Sequence, residues 1–326
     1  MSFKRLDPED FLVSVDSITA TAWSTNSPTL TTFYTASDTS QYYLNVYQTA
    51  STDADAAIQF GIAYGNSAGS GSENYNDLVP GYSPTRTVYG QFRNLVYGDE
   101  NASFIFGTVT ASDFWAISVE RARYKEHLLK GTFNLEISGS GGEIKLTDNS
   151  GMVSTDTYLD CGRVYQIISG SNGTAYSGTG YSTASGSYGL FLPDIATIIL
   201  NPLAISADTG VTPTRTSDTN TYNNRALFNA LNLGANFQLN SEETVSSDYV
   251  FVRARNAEFN YSENPSFISG STGDVLYSSM INSPQSYVTT VGLYNDTNEL
   301  LAVAKLSTPL TKDFTKESLI RVKLDF

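Results

Sequence analysis

The last stretch of the chain alternates without a break. Ile320, Val322, Leu324 and Phe326 are apolar, and Arg321, Lys323 and Asp325 between them are charged. A period of two puts the apolar set on one face of a β-strand and the charged set on the other. The pattern reaches the last residue, so this end is expected to be tied into a sheet, with Phe326 on its inner face. Just upstream, residues 287–294 and 300–306 are rich in Val, Thr, Leu and Tyr. Between them lies Asn295-Asp296-Thr297-Asn298, whose side chains tolerate tight turns and cap their own backbone, so the segment reads as a hairpin.

The rest of the chain extends this β reading. Short strand-like runs fall at residues 11–22, 30–34, 42–47, 58–64, 104–109, 114–119 and 164–169. Residues 132–137 and 143–146 read as a hairpin across SGSGG. Residues 190–200 form one buried-type apolar run with Pro193 near its start. Two helices are expected. One has Ser83 as N-cap and Pro84 at the first helical position, places Val88, Phe92, Leu95 and Val96 on one face, and closes at Gly98. The other covers residues 222–233, with Leu227, Ala230 and Leu231 on one side and Gly234 as terminator. ERARYKEHLLKG, ending at Gly131, mixes both charges at helical spacing.

At 326 residues the chain is long enough for two domains or one large β domain. The glycine-rich hairpin region is the expected seam, dividing a β-rich domain at 1–131 from a second at 132–326. Each is expected to hold one helix, and the second a Tyr/Gly-rich loop. The expected class is mainly β (α+β), with β-sandwich-like sheets, a few short helices and long Gly/Ser/Tyr loops.

Charged residues make up 16 % of the chain, against about 25 % in an ordinary globular chain. Polarity comes from Ser, Thr, Asn and Gly, and aromatic content from 21 Tyr and 17 Phe. Such a composition suits sheets and broad uncharged contacts, where Tyr supplies area at low entropic cost. The net charge of −14 argues against a nucleic-acid partner and is the wrong sign for an anionic membrane surface. The N-terminal MSFKRLDPEDFLV has no uninterrupted apolar core of a signal peptide, and no membrane span is read. A single cysteine, Cys161, excludes an internal disulfide and is compatible with folding in a reducing cytoplasm. Four Asn-X-Ser/Thr sequons, at Asn101, Asn172, Asn260 and Asn295, are expected by chance in a chain this rich in those residues.

Candidate chemistry is sparse. Gly65-Asn66-Ser67-Ala68-Gly69 fits the Gly-X-Ser-X-Gly nucleophile pattern, but another loop follows it where that pattern needs a helix. The one histidine, His127, sits in a charged segment, and one His plus one Cys cannot supply a tetrahedral nitrogen/sulfur metal site. The oxygen-rich stretches Asp218-Thr219-Asn220 and Asp296-Thr297-Asn298-Glu299 lack the calcium-loop spacing and are explained as turns. Glu242-Glu243 is the one adjacent glutamate pair, in a stretch that reads as solvated loop. Cys161 reads as a small buried hydrophobe. No catalytic residue, cofactor or metal is assigned, and the chain is not expected to be an enzyme.

The remaining candidates are contact residues. SGSNGTAYSGTGYSTASGSYG is a flexible surface loop on one reading. On the other, its Tyr176, Tyr181 and Tyr188 become ordered against a partner. Arg253, Arg255, Arg321 and Lys323 alternate with apolar residues, as the outer face of strands or as an interface that seeks acidic groups. Tyr176, Tyr181, Tyr188, Tyr294, Arg321 and Lys323 are therefore the expected interface residues.

FVRARNAEFNYSENPSF, followed by YVTTVGLYNDTNELLAVAKLSTPL and the closing strand, resembles virion structural proteins of large contractile-tailed phages, the T-even-type myoviruses of cyanobacteria and other marine bacteria. RARYKEHLLKGTFNLEISGSGGEIKLTDNS, GRVYQIISGSNGT and YGLFLPDIATIILNP fit the same resemblance, which spans about residues 104–326. It implies a tail or baseplate subunit without enzymatic role, made in the host cytoplasm and carried in the virion. Its implied partners are other tail or baseplate proteins and copies of itself. A receptor-binding or capsid-decorating protein and a carbohydrate-active enzyme are the alternatives.

Overall fold

The computed structural model describes residues 3–36, 42–71, 84–214 and 220–325. The expected cap at Ser83, the stretch at Asp218 and Thr219, and the terminal Phe326 lie outside them. The longer elements run β1 (Phe11–Thr21), β2 (Leu44–Tyr47), β3 (Ile58–Asn66), α1 (Thr85–Tyr97), β4 (Phe104–Phe106), β5 (Val109–Ala111) and β6 (Asp113–Val119). They continue with β7 (Asn134–Gly139), β8 (Gly142–Asp148), β9 (Gly162–Ser171), β10 (Gly189–Leu192), β11 (Thr197–Leu200), α2 (Pro202–Thr209) and α3 (Asn220–Gly234). The last are β12 (Phe237–Gln238), β13 (Asn240–Ala254), β14 (Ser286–Tyr294), β15 (Leu300–Lys312) and β16 (Ser318–Asp325). The protein is mainly β, and its described residues hold three short α-helices and a large curled antiparallel sheet.

The chain divides into two compact units, but not at the glycine-rich hairpin. One unit is Met1–Asp16 with Thr244–Phe326, and the other is Ser17–Glu243. The expected seam near 131 fails because β7 and β8 pair in the middle of the large sheet. Their register runs from Asn134↔Thr147 to Gly139↔Gly142, which leaves a two-residue turn. The actual division follows long-range pairing between the two ends of the sequence, which no local periodicity reports.

In the Ser17–Glu243 unit the sheet runs from the short strand Thr29–Leu30 through β12, β7, β8, β9, β10, β11, β6, β3 and β2 to Tyr34–Thr35. Its two ends curl toward each other. Phe237 of β12 and Phe60 of β3 have ring centroids 5.3 Å apart, and Trp23 contacts both. Helix α3 packs on β3 and on β7, filling the inside of the curl. The middle strands are covered on both faces. In β6, Trp115 and Ile117 face the inner core, while Phe114 and Ala116 face a second cluster with α1, Phe104 and Phe106. Burial on both faces is why these strands read as unbroken apolar runs.

Local expectations are met or corrected on physical grounds. Helix α1 ends at Gly98, which takes the left-handed conformation at φ 63°. The apolar run at 190–200 is two strands, because Pro193 opens a short turn and Ala196 takes φ 49° between β10 and β11. ERARYKEHLLKG is not a helix. It forms one turn of 3₁₀-helix at Arg121–Arg123 and a short strand, His127–Leu128, recruited by pairing with β13. Gly234 belongs to the last turn of α3 and is needed for close approach, since a Cβ there would meet the Glu136 carbonyl oxygen at 2.3 Å. Ala235, at φ 50°, turns the chain out of the helix.

The other unit is thinner. β13 pairs with β16 from Ser247↔Asp325 to Ala254↔Ser318, and β1 lies on the other side of β13. β14 and β15 form a separate two-stranded sheet. The expected turn between them is held by Asn295 Oδ1, which accepts the Thr297 and Glu299 amides at 3.1 and 2.7 Å. At the root of this hairpin Lys312 is fully buried. Its Nζ donates to the Asn256 carbonyl at 3.0 Å, Asn260 Oδ1 at 2.8 Å and the Asp313 carbonyl at 2.9 Å. Ile320 and Val322 point inward from β16, and Arg321 and Lys323 outward, as the alternation requires.

Candidate assembly surface

Both large hydrophobic clusters lie within Ser17–Glu243. Among the described residues of the other unit, the buried hydrophobics are Val250, Ala254, Phe267, Ile320 and Val322. That is a small core for a body of this length. The same unit exposes far more apolar surface than it buries. Phe11, Leu12, Val13 and Val15 are all more than half exposed along β1, so neither face of that strand is covered. In the β14–β15 hairpin only Ser286 and Lys312 are buried. Leu301 and Val303 are 68 % and 58 % exposed on one face, and Leu293 and Ala302 are opposed at intermediate exposure on the other. A two-stranded sheet open on both faces is marginal by itself.

Three of the expected contact residues belong to this unit. Tyr294 is partly exposed and sets its ring edge-on against Phe3, with centroids 5.2 Å apart. Arg321 and Lys323 are exposed on the outward face of β16 and lie 5.4 and 5.9 Å from the Tyr249 ring centroid. Lys323 also pairs with Asp325 at 2.9 Å.

The tyrosine-rich loop is built differently from either reading of its sequence. Tyr176 is 61 % exposed and free for a contact. Tyr181 packs against the inner core. Tyr188 is buried, and its hydroxyl donates to Asp208, so it is a core residue and not an interface residue. Burial and the adjacent Asp208 carboxylate push its phenol well above the ordinary value. The loop is stitched to the sheet by its backbone: Ser169 N–H donates to the Gly180 carbonyl and Tyr188 N–H to the Ile167 carbonyl, at 2.8 and 2.9 Å. Buried Asn201 adds two bonds of 2.8 Å from its amide nitrogen to the Ser185 and Ser187 carbonyls, while its oxygen caps α2. Low sequence complexity concealed these fixed partners.

The residues with possible chemistry are occupied structurally. Gly65 lets α1 approach β3: a Cβ there would lie 3.0 Å from the Tyr89 backbone and 2.8 Å from the Phe114 ring. Ser67 extends the β3–β6 ladder through its amide, which donates to the Ser112 carbonyl at 2.7 Å. Beside it an open hollow of about 310 Å³ is lined by Ser67, Arg93, Asn101, Ser103 and Thr110, with Arg93 held 6.0 Å from the Tyr89 ring centroid. His127 faces Glu242 across the strand pair, its Nδ1 lying 3.2 Å from the Glu242 carbonyl and its Nε2 3.7 Å from the carboxylate. Glu242 itself lies on β13 and accepts from Ser17, so the Glu242-Glu243 stretch is strand and not solvated loop. No group of three or more His, Cys, Asp or Glu that could hold a metal ion occurs among the described residues. None of their helices is long and apolar enough to cross a membrane.

Comparison with protein-family models, with curated proteins and with solved structures gives no match.

Cys161 is half-buried beside the α1 cluster. Burial, with the nearby Asp194 and Asp160 carboxylates, pushes its thiol up to about 11. Only the thiolate attacks, so alkylation at pH 8 is expected to run roughly a hundredfold slower than for a free cysteine of pKa about 8.5. The rate should then climb tenfold per pH unit toward pH 11. A rate equal to that of a free thiol at pH 8 would contradict the buried placement.

Proposed function

We propose that this chain is a structural subunit of a contractile phage tail, a baseplate component that joins neighbouring subunits. One observation carries the assembly part of the reading: the Met1–Asp16 and Thr244–Phe326 unit exposes Phe11, Val13, Val15, Leu301, Val303, Phe314 and Leu319 while burying five hydrophobics of its own. A monomeric protein rarely leaves contiguous apolar surface open, and a subunit that will be covered by a neighbour does so routinely. The resemblance of residues 104–326 to virion proteins of contractile-tailed phages supplies the setting. In this reading the curled sheet is the rigid body, and the thin unit is the part that docks.

Mass spectrometry of purified particles tests it. The chain is expected at a fixed ratio to the other tail proteins and to stay with the tails when heads are removed. Its absence from washed particles would end the proposal, and its presence only with the heads would move it out of the tail.

A further inference from the structure

The assembly reading leaves the identity of the neighbour open, and the sheet of order β1-β13-β16 in the thin unit carries information about it. β13 is its central strand, so β1 and β16 are its two edges. Among the described residues no further strand pairs with either. The outer N–H and C=O groups of both edges are therefore available to another strand, the situation in which sheets extend between chains. Natural edge strands are usually short or interrupted by Lys or Pro. The part of β1 in this unit carries neither, and presents Phe11, Leu12, Val13 and Val15 in succession.

The two edges differ in charge. The chain enters β1 through a turn bearing Asp7, Glu9 and Asp10, and the strand itself carries Asp16 and no basic residue. β16 carries Arg321 and Lys323, both exposed, against one acid, Asp325, which pairs with Lys323, so its net charge is positive. Exposed Leu319 lies on the same strand. Pairing β1 with a second β1 would set acids against acids, and pairing β16 with a second β16 would set Arg321 and Lys323 against their own kind. Opposite charges across neighbouring strands stabilise a sheet, and like charges destabilise it. Within one copy the Asp16 carboxylate already acts on Lys323 from the far side of β13 and helps to raise its ammonium pKa, after the larger effect of Asp325.

We propose that copies of this chain join edge to edge, β1 of one copy beside β16 of the next. The interface is head-to-tail: each copy offers one acidic, apolar edge and one basic edge. Such an interface does not consume itself in a dimer. It closes a ring where the rotation between copies allows, and otherwise continues as a filament. At the usual strand spacing of about 4.8 Å, Asp16 of an added copy comes within reach of the basic residues of the β16 it joins. This inference rests on the assembly reading and names the neighbour within it.

The test is charge-reversal complementation on the full chain, read by sedimentation velocity. The unaltered chain is expected to associate with rising concentration. Asp16→Lys alone and Lys323→Glu alone should each weaken that association about tenfold, by replacing an attraction with a repulsion across the edge. Each variant also loses an attraction within its own copy, to Asp325 or between Asp16 and Lys323, but these are between exposed side chains, so the melting temperature should change little. Mixing the two variants should recover association, because the altered edge of one then matches the altered edge of the other. A chain that stays monomeric at every concentration overturns the proposal, as do single variants that associate like the parent or a mixture that recovers nothing. A monomeric chain that is still found in purified tails overturns only the self-pairing. Absence from the tails counts against the assembly reading instead.

Discussion

Replacing Lys312 by methionine is expected to loosen the thin unit by about 3 kcal/mol or more. The ammonium is fully buried and bonds three oxygens, those of the Asn256 and Asp313 carbonyls and of the Asn260 side chain. Methionine matches the length of lysine but donates nothing, and each buried acceptor left unpaired costs about 1–3 kcal/mol. The three bonds do more than add up. They hold residues 256–260 in place around Phe259, whose φ of 58° is a left-handed conformation that a bulky residue adopts only under constraint. Ser286, which pairs with Lys312 at the hairpin root, donates from its hydroxyl to the Phe259 carbonyl and completes the clamp. Hydrogen exchange is the suitable measurement, because a two-unit chain need not unfold in one step. Amides in residues 255–260 and at the base of β14 and β15 should lose about a hundredfold in protection. The neighbouring exposed Lys305→Met should change little. Unaltered protection in Lys312→Met would show that the clamp is not formed by this side chain.

The second large effect concerns assembly and leaves the free chain nearly untouched. Leu301→Glu combined with Val303→Glu places two carboxylates on the open face of the hairpin. At such exposed positions each change should shift stability by no more than about 0.5 kcal/mol, so the melting curve of the isolated chain should be preserved. Incorporation should collapse. Burying a large apolar side chain contributes about 1.5–3 kcal/mol, and losing two such contributions lowers affinity by roughly a hundredfold or more. The measurement is the ratio of altered to unaltered chain in particles assembled from an equal mixture. Equal incorporation would show that this face stays in solvent after assembly.

What the sequence disclosed depended on whether the deciding interaction was local. The β14–β15 turn was legible because Asn295 caps amides two and four residues ahead. Helix α1 was legible from Val88 and Val96, both buried, and from Gly98. Leu95 of the expected apolar face is exposed, however, and Pro84 stands at the N-cap, one place before the first helical position. Helix α2 also carried its signals, Asn201 and Pro202 at one end and Gly210 at φ 73° at the other, but it lay directly behind an apolar run that drew the reading toward strand. Long-range decisions were not legible. The charged stretch at 120–131 has helical spacing, yet β13, more than a hundred residues away, takes His127 and Leu128 as strand partners. Tyr188 sits among glycines and serines, and its burial depends on Asp208 and on the close fit of the loop to β9. For the proposed docking surface the sequence offered Arg321 and Lys323 through their alternation and Tyr294 beside them, and all three fall in the thin unit at exposed positions. It did not identify Val13, Val15, Leu301 or Val303, since an apolar residue on a strand is read as core until the absence of a covering layer is seen.

The thin unit takes strands from both ends of the sequence, and this sets a schedule for synthesis. β1 leaves the ribosome roughly 300 residues before β16, an interval of about 15–60 s at ordinary elongation rates of about 5–20 residues per second. The curled sheet can close during that time from residues already made. β1 cannot, because both the central strand it pairs with and the strand that completes the sheet come later. For most of its synthesis the chain therefore carries an unpaired apolar strand that any similar strand could capture, including the β1 of a neighbouring nascent chain. The acids at Asp7, Glu9, Asp10 and Asp16 then repel such a premature match, so the charges that the proposed joining relies on also guard the unfinished chain.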